Sequence, residues 1–173
     1  MGSRELMVAI ADDLALFGPP AAVSQAFDNF CGDLADTGLV VRLPKCGVLW
    51  PHSASVPELV SVAADKRSIP LHIGCMGALG APVGLDNAKI DDWLTTSLQH
   101  HKRLFELLLN DLLPAQISML LLRLSAIPMM GYLARVVRPS LLLRHAISFD
   151  ESVLQVALKR IGCSSLFLLW QIY

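Results

Sequence analysis

Charged residues are scarce in this sequence, and one long stretch lacks acidic residues altogether. Asp, Glu, Lys and Arg make up 17% of the 173 residues, whereas about 25% is typical of soluble domains. The net charge of −1 excludes an overall basic footprint for nucleic acid. The charge is uneven, because the acidic residues outnumber the basic ones up to Leu85 and the reverse holds from Asp86 onward.

The stretch without acidic residues lies between Asp111 and Asp150, and it predicts phosphate contacts. Arginines that extend from an apolar helical bundle into water explain the same pattern equally well. The candidate nucleic-acid-binding residues in this stretch are Arg123, Arg135, Arg138 and Arg144.

Cysteine and histidine are too few and too scattered to predict zinc or a disulfide framework. The four cysteines include no Cys-x-x-Cys pair. His100 and His101 are adjacent, so on a helix they would point in different directions. The N-terminus has no charged region followed by an apolar region and a cleavage site. We therefore expect an intracellular protein, nuclear or cytoplasmic.

The sequence also lacks a long uninterrupted hydrophobic run. The longest, Ile117 to Ala134, is broken by Arg123 and Pro128, whereas a membrane span needs about 20 largely uncharged residues. We therefore predict no membrane partner. Hydrophobic residues still make up 54% of the chain, which is typical of a piece of a larger protein and predicts self-association of the isolated chain.

Two adjacent carboxylates, Asp12 and Asp13, are the most informative feature that is present. Short apolar runs at 5–11 and 14–17 predict strands on both sides, and Asp favours turns, so the pair is expected at a hairpin tip. Carboxylate oxygens are ligands for Mg²⁺ or Mn²⁺. A solvated turn is the alternative reading of the same two residues.

The remainder of the first 85 residues predicts a small sheet with one crossover helix. Apolar residues recur at helical spacing over 21–35, and Gly38 follows as a helix stop. We expect a loop with at most a short helical turn over 51–68. Further strands are predicted at 39–41, 47–50, 69–73 and 78–83.

After Leu85 the pattern becomes helical. Asp86 is predicted to cap the first helix, and Pro114 to be the first residue of a second that runs to about Ile127. Pro128 and Pro139 are expected to divide what remains. Ser148, with Glu151 three residues on, predicts the start of a last helix that ends near Ile161.

Three motifs in this order resemble the second half of a reverse transcriptase palm, of the kind found in non-LTR retrotransposons. They are Ile10-Ala11-Asp12-Asp13, then Gly38 to Val41 with Lys45 after a helix, and Leu79 to Gly84. The resemblance covers nearly the whole chain. It implies an α+β fold, in which a partial palm with a small antiparallel sheet and a packed helix precedes an all-helical, thumb-like region. The expected divisions are 1–85, 86–162 and an apolar tail of unknown status, 163–173.

The resemblance also implies roles for individual residues. Asp12 and Asp13 would hold Mg²⁺ or Mn²⁺, and Lys45 would lie near the incoming deoxynucleoside triphosphate. The turn formed by Leu79, Gly80, Pro82 and Gly84 would correspond to the primer grip. The alternative is that its two glycines and its proline only form a turn and contact no ligand. The implied partners are an RNA template and a DNA primer.

Two departures from the family change the expected activity. Ile10 stands where the family usually has Tyr. Only eleven residues precede Asp12, so we expect the fingers and the other aspartate-bearing strand to be absent. Nucleotidyl transfer with two metals about 4 Å apart needs carboxylates from separate strands. We therefore expect a fragment or decayed copy of an RNA-directed DNA polymerase that binds metal weakly and is inactive alone.

Two other interpretations remain open. The chain could be a non-catalytic helical module that binds a protein through the apolar surface after Leu112. It could also be a remnant that binds nucleic acid through the arginine segment. Phosphate-driven binding weakens steeply with salt, whereas apolar association does not, so salt dependence distinguishes these two interpretations.

Overall fold

The computed structural model describes residues 6–10, 13–52 and 55–162. The chain is a mixed α and β protein in which helices predominate, which confirms the α+β class. Its contacts divide it into two compact units, Met1–Met76 and Gly77–Tyr173, whereas the sequence placed the change of character after residue 85. The predicted tail, 163–173, lies outside the described residues.

The first unit begins with the predicted hairpin. Strands β1 (Leu6–Ile10) and β2 (Asp13–Phe17) are antiparallel, and Ile10 is the register partner of Asp13. The connection is therefore two residues long, which is the tightest common hairpin loop. Asp12 belongs to this connection and lies outside the described residues.

Helix α1 (Pro20–Asp36) follows the hairpin and contacts β2. The helix begins at Pro20, and proline suits this position because the first residue of a helix does not use its amide hydrogen in a helical hydrogen bond. Its end fits Gly38, whose φ of +80° is the left-handed conformation in which helices commonly terminate. The predicted apolar stripe is half-buried along its length, and no residue of α1 is fully buried.

The predicted strand at 39–41 is wrong. Leu39 donates its backbone amide to the carbonyl of Leu34 at the end of α1, so its first residue is engaged in closing the helix. Val40 is 90% exposed, and a β-prone residue gains little from an extended conformation without a neighbouring strand to pack against. A short 3₁₀ turn, Leu43–Lys45, comes next.

A parallel β-α-β unit follows, and its two strands confirm the strands predicted at 47–50 and 69–73. Strand β3 (Val48–Trp50) pairs in parallel with β4 (Leu71–Ile73), and helix α2 (Glu58–Lys66) lies in the connection. The sequence reading of 51–68 as a loop was wrong, because Val60 and Ala64 lie one turn apart and bury the same face of α2. Where one small antiparallel sheet was expected, the described residues form three separate two-stranded sheets.

Helices α1 and α2 are joined by one arginine. Arg67 directly follows α2 and donates to both carboxylate oxygens of Asp28 at 3.0 and 2.6 Å. The same guanidinium donates to the Ser24 hydroxyl at 2.9 Å and to the Ala63 carbonyl at 2.9 Å, and it lies 6.0 Å from the centre of the Phe27 ring. A bidentate arginine-carboxylate pair of this kind fixes both distance and orientation.

The second unit begins within a tight hairpin. Strands β5 (Cys75–Ala78) and β6 (Ala81–Gly84) pair through the two-residue turn Leu79-Gly80. The prediction of one strand over 78–83 was wrong because both turn residues have positive φ, +51° and +75°. Two consecutive positive φ values reverse the chain, as in type I′ turns.

Four helices follow the hairpin, namely α3 (Asn87–Leu108), α4 (Ala115–Leu121), α5 (Ile127–Val136) and α6 (Pro139–Ile161). Asp86 caps α3 as predicted, since its carboxylate accepts from the amides of Ala88 and Lys89. The predicted start at Ser148 was wrong, because α6 begins nine residues earlier, at Pro139, and Ser148 lies inside it. Pro114 is the N-cap of α4, one position before the place predicted for it.

Helices α4 and α5 form one continuous stretch through Pro128, where a division was expected. The segment between them, Leu122–Ala126, is a π-helix, and the amide of Ile127 donates to the Leu122 carbonyl five residues earlier. Proline inside an α-helix clashes with the carbonyl four residues back. The wider π-turn directly before Pro128 relieves that clash, so the helix continues.

The second unit has an extended apolar core between its helices. Ser118 is its one fully buried polar residue among those described, and its hydroxyl donates to the Leu108 carbonyl at 2.7 Å. Arg160 of α6 donates to that carbonyl and to the Asn110 carbonyl, which satisfies the end of α3. The buried apolar residues are Ala81, Ile90, Leu94, Phe105, Leu108, Leu122, Ala126, Met130, Leu133, Val137, Leu142, Phe149 and Val156.

Within the described residues, one helical stretch is long and apolar enough to cross a membrane. It is Ala115–Val136, with 28% of its most apolar window buried in the protein. A single stretch of this kind is weak evidence for a span, since core helices satisfy the same criteria of length and composition.

Candidate functional site

One of the two predicted carboxylate residues falls within the described part of the first hairpin. Asp13 is the first residue of β2, and Asp12 precedes it in the connection. Asp12 lies outside the described residues, as does the side chain of Asp13, so their role as metal ligands stays a prediction. Among the described residues, no three His, Cys, Asp or Glu side chains gather into a possible metal site.

Lys45 occupies a different local structure from the one expected. It is the last residue of the 3₁₀ turn Leu43–Lys45 and is exposed, so it does not end a strand. Its backbone amide donates to the Arg42 carbonyl at 2.8 Å. Strand β3 begins three residues later, at Val48, so Lys45 lies at the entrance to this strand. Its proposed contact with a nucleotide stays a prediction.

The four residues of the primer-grip-like motif all belong to the second hairpin. Leu79 and Gly80 form its turn, and Pro82 and Gly84 lie on β6. Leu79 is the less usual turn residue, because a side chain at φ +51° is sterically unfavourable. Gly80 meets the same requirement without a side chain. The sequence therefore places a strained residue at the tip of this motif.

The strands of this hairpin are packed against the helices. Ala81 is 5% exposed and Pro82 is also buried. A Cβ at Gly77 would lie 2.8 Å from Nε1 of Trp93 on α3, so only glycine allows this approach. Trp93 is half-buried, so its indole packs against the hairpin.

The tip of the hairpin is held by Tyr132 of α5. The phenol donates a hydrogen bond of 2.6 Å to the Leu79 carbonyl, and a Cβ at Gly80 would lie 3.8 Å from the Tyr132 ring. The contact spans 53 positions in the sequence. It links the turn that resembles a primer grip directly to the helical part of the second unit.

An open groove of about 480 Å³ lies beside the turn. Its walls combine the turn with residues of α3 and of the continuous stretch from α4 to α5. Apolar groups predominate, and hydroxyls and one imidazole are the polar ones. The lining residues are Leu79, Gly80, Ser97, His101, Leu124, Ser125, Pro128, Met129, Tyr132 and Leu133.

His101 stands out among the groove residues. Its Nδ1 is buried without a hydrogen-bond partner within the described part of the chain, and its ring packs edge-to-face on Phe149 with centroids 6.4 Å apart. Burial lowers the pKa of His101, and the neighbouring His100 lowers it further. Both effects disfavour the charged form of His101, and its contact with Phe149 is a packing contact.

The four candidate phosphate-binding arginines are all exposed but fall into two groups. Arg138 donates to the Asn87 side chain at 2.8 Å, and Arg144 pairs with Asp91. Both therefore connect the start of α6 to the start of α3. Arg123 lies in the π-helical segment and Arg135 in the last turn of α5.

The pairing of Arg144 includes a histidine. His145 Nε2 lies 2.9 Å from the second oxygen of Asp91, so this carboxylate faces two basic side chains. Burial lowers the pKa of His145, and the charge of Arg144 lowers it further. The arrangement favours a neutral imidazole beside an ion pair that is already complete, which reduces the positive charge this end of the unit offers to a phosphate.

The residues that hold these parts together were not predicted from the sequence. Tyr132 stands in a mostly apolar helix, and a phenol that is partly buried usually finds a hydrogen-bond partner. This signal was available in the sequence. Nothing local marks Arg67 or Arg160, because their partners lie 39 and 52 positions away.

Comparison with known proteins adds no relative. No protein-family model, no curated protein and no solved structure matches this chain.

Proposed function

We propose that this chain contains the second half of a reverse transcriptase palm and the start of its thumb. The ancestral activity would be template-directed DNA synthesis by metal-dependent nucleotidyl transfer. The observation that carries the proposal is the order of its parts. A hairpin with a two-residue loop and the Asp pair comes first, and a packed helix follows it. Further along the chain, a second tight hairpin leads directly into a helical region.

The chemistry assigns a task to each part. Asp12 and Asp13 offer hard oxygen ligands, which suit Mg²⁺ or Mn²⁺ in kind. When bound, such a cation would neutralise charge on the triphosphate of an incoming deoxynucleotide. Lys45 would hold a phosphate as a point charge. The Leu79-Gly80 turn would contact the DNA primer, and the exposed arginines would contact the phosphates of the RNA template and primer.

The ligand number limits what this chain does alone. A two-metal site needs carboxylates from more than one strand, and the proposal places two on a single hairpin. We therefore expect weak binding of Mg²⁺ by the chain and no primer extension. Calorimetric titration with Mg²⁺ and a primer-extension assay on an RNA template test this pair of expectations. Extension that disappears in Asp12→Asn would show that the metal site is complete.

Binding of an RNA–DNA hybrid tests the nucleic-acid part of the proposal. The affinity should fall steeply as salt increases, and an Arg123→Gln, Arg135→Gln double variant should reduce the salt slope by about 2. Arg103→Gln is the matched control, because Arg103 is exposed but lies on α3, outside the stretch without acidic residues. Binding that does not respond to salt would contradict the proposed phosphate contacts.

A helical protein-interaction module is the second candidate. It is favoured by the exposure of large apolar side chains in the helical region, among which Leu112 is 91% exposed and Leu124 is 64% exposed. Contiguous exposed apolar surface marks sites of association. In this case the chain should associate with itself or with a protein partner at both low and high salt, as light scattering during size-exclusion chromatography would show.

A further inference from the structure

The strands of the hairpin β5–β6 are packed more firmly than the two residues of its turn. On the strands beside the turn, Ala81 and Pro82 are buried and Gly77 lies against Trp93. At the tip, Leu79 is 54% exposed and the open groove lies beside the turn. Side-chain packing alone therefore gives the turn little support, although it must keep a non-glycine residue at positive φ.

The hydrogen bond from Tyr132 supplies that support. At 2.6 Å it is short for a neutral O–H donor, and it reaches the backbone of the strained residue itself. The phenol ring also lies beside Gly80. A contact to the backbone fixes the position of the turn whatever side chain the turn carries.

We propose that Tyr132 is a positioning residue that holds the Leu79-Gly80 turn at a fixed distance from α5. This inference rests on the proposed function in one respect, namely that the turn meets the primer strand. On that basis, Tyr132 sets where the primer terminus lies relative to the helical region. It does so through the turn and does not contact the reacting groups.

Hydrogen exchange of the free protein tests the structural half of the inference. Tyr132→Phe keeps the ring and removes the donor, so amides in β5 and β6 next to the turn should exchange about threefold to tenfold faster. Thr95→Val is the matched control, because it also removes a hydroxyl that donates to a backbone carbonyl, but within α3 alone. Circular dichroism should show unchanged helix content in both variants.

A fluorescent primer tests the functional half. The probe is an RNA–DNA hybrid with 2-aminopurine at the primer 3′ end. Tyr132→Phe should bind it within about twofold of the unaltered chain, because the phosphate contacts remain, but should lose the fluorescence change that accompanies binding. Thr95→Val should keep both the affinity and the signal.

Each outcome decides one part. Unchanged exchange in Tyr132→Phe would show that the phenol does not hold the turn. Faster exchange with an unchanged fluorescence signal would overturn the role in primer positioning. If the unaltered chain binds no hybrid, the proposed function fails, and the exchange result still decides whether Tyr132 holds the turn.

Discussion

The two units of the chain differ most in how much apolar surface each buries. Among the side chains described, thirteen apolar residues of the second unit are buried, but only Val60, Ala64 and Ile69 of the first unit are. The seventeen-residue helix α1 has no buried residue at all. Since burial of apolar surface is the main stabilising contribution in folded proteins, we expect the second unit to be the more stable of the two.

The first unit uses polar contacts where the second uses packing. Arg67 alone makes four hydrogen bonds to α1 and α2, and its side chain is 16% exposed. The second unit uses charged donors mainly at helix ends, as Arg160 does at the end of α3. Amphipathic helices in this chain are therefore held mainly by polar contacts in the first unit and mainly by apolar packing in the second.

Removal of one core side chain should have the largest effect. Leu108 is fully buried, whereas Leu107 beside it on α3 is 55% exposed. We expect Leu108→Ala to lower the free energy of unfolding of the second unit by about 2–5 kcal/mol, and Leu107→Ala to change it by about 0.5 kcal/mol or less. Denaturant unfolding followed by circular dichroism measures both. Equal losses would contradict the assignment of the core.

Removal of the guanidinium should be the most damaging single polar change in the first unit. Arg67→Met keeps the apolar stem and deletes the four hydrogen bonds, so we expect a loss of about 1.5–3 kcal/mol. Hydrogen exchange of amides in α1 and α2 measures it. Lys66→Met is the control, because Lys66 is adjacent and exposed. If Lys66→Met accelerates exchange in α1 and α2 as much as Arg67→Met does, the loss comes from the removed positive charge and not from the hydrogen bonds of Arg67.

A better turn residue should make the second unit still more stable. Leu79→Asn replaces a side chain that tolerates φ +51° poorly with one that adopts it readily. We expect a gain of about 1 kcal/mol, which raises the unfolding temperature by about 2–4 °C. A lower unfolding temperature would show that the apolar contacts of Leu79 outweigh the backbone strain.

The smallest effect concerns pH. The hydrogen bond from Arg67 lowers the pKa of Asp28, and partial burial opposes it only in part. The folded state therefore binds its proton less readily than the unfolded state, whose pKa is about 3.9. The contribution of this pair is present above that pH and is lost as the pH falls through the lower, folded pKa.

A carboxyl titration by NMR checks this sign. The midpoint of Asp28 should lie below its ordinary value and return toward it in Arg67→Met. Asp111 is the internal control, because Lys159 lowers its pKa through a separate hydrogen bond. A midpoint for Asp28 that does not move in the variant would contradict the pairing.

Local signals in the sequence predicted local structure well. The Asp86 cap, the end of α1 near Gly38 and the last helix ending at Ile161 all depend on residues within a few positions. The hairpin around Asp12 and Asp13 is of the same kind, because strand preference on both sides of a turn residue is a local property. The site predicted there, by contrast, depends on ligands from elsewhere.

Features that depend on distant partners were missed. Helix α2 was not predicted because its apolar pattern is short, and only two of its residues are buried. The 39–41 strand was predicted from β-branched and apolar residues, but strand formation needs a partner strand that the sequence does not specify. Tyr132 and its carbonyl acceptor are 53 positions apart, so no motif search would join them.

The π-helical segment before Pro128 has a consequence for the length of the chain. A π-turn takes up about one residue more than an α-turn over the same rise, so Leu122–Ala126 acts as a stored single-residue insertion. Leu122 and Ala126, its first and last residues, are both buried, so the extra residue is accommodated without turning either end of the segment away from the core. Deletion of one residue from this segment should return Pro128 to a regular α-helical turn and restore the carbonyl clash, unless Pro128 is replaced as well.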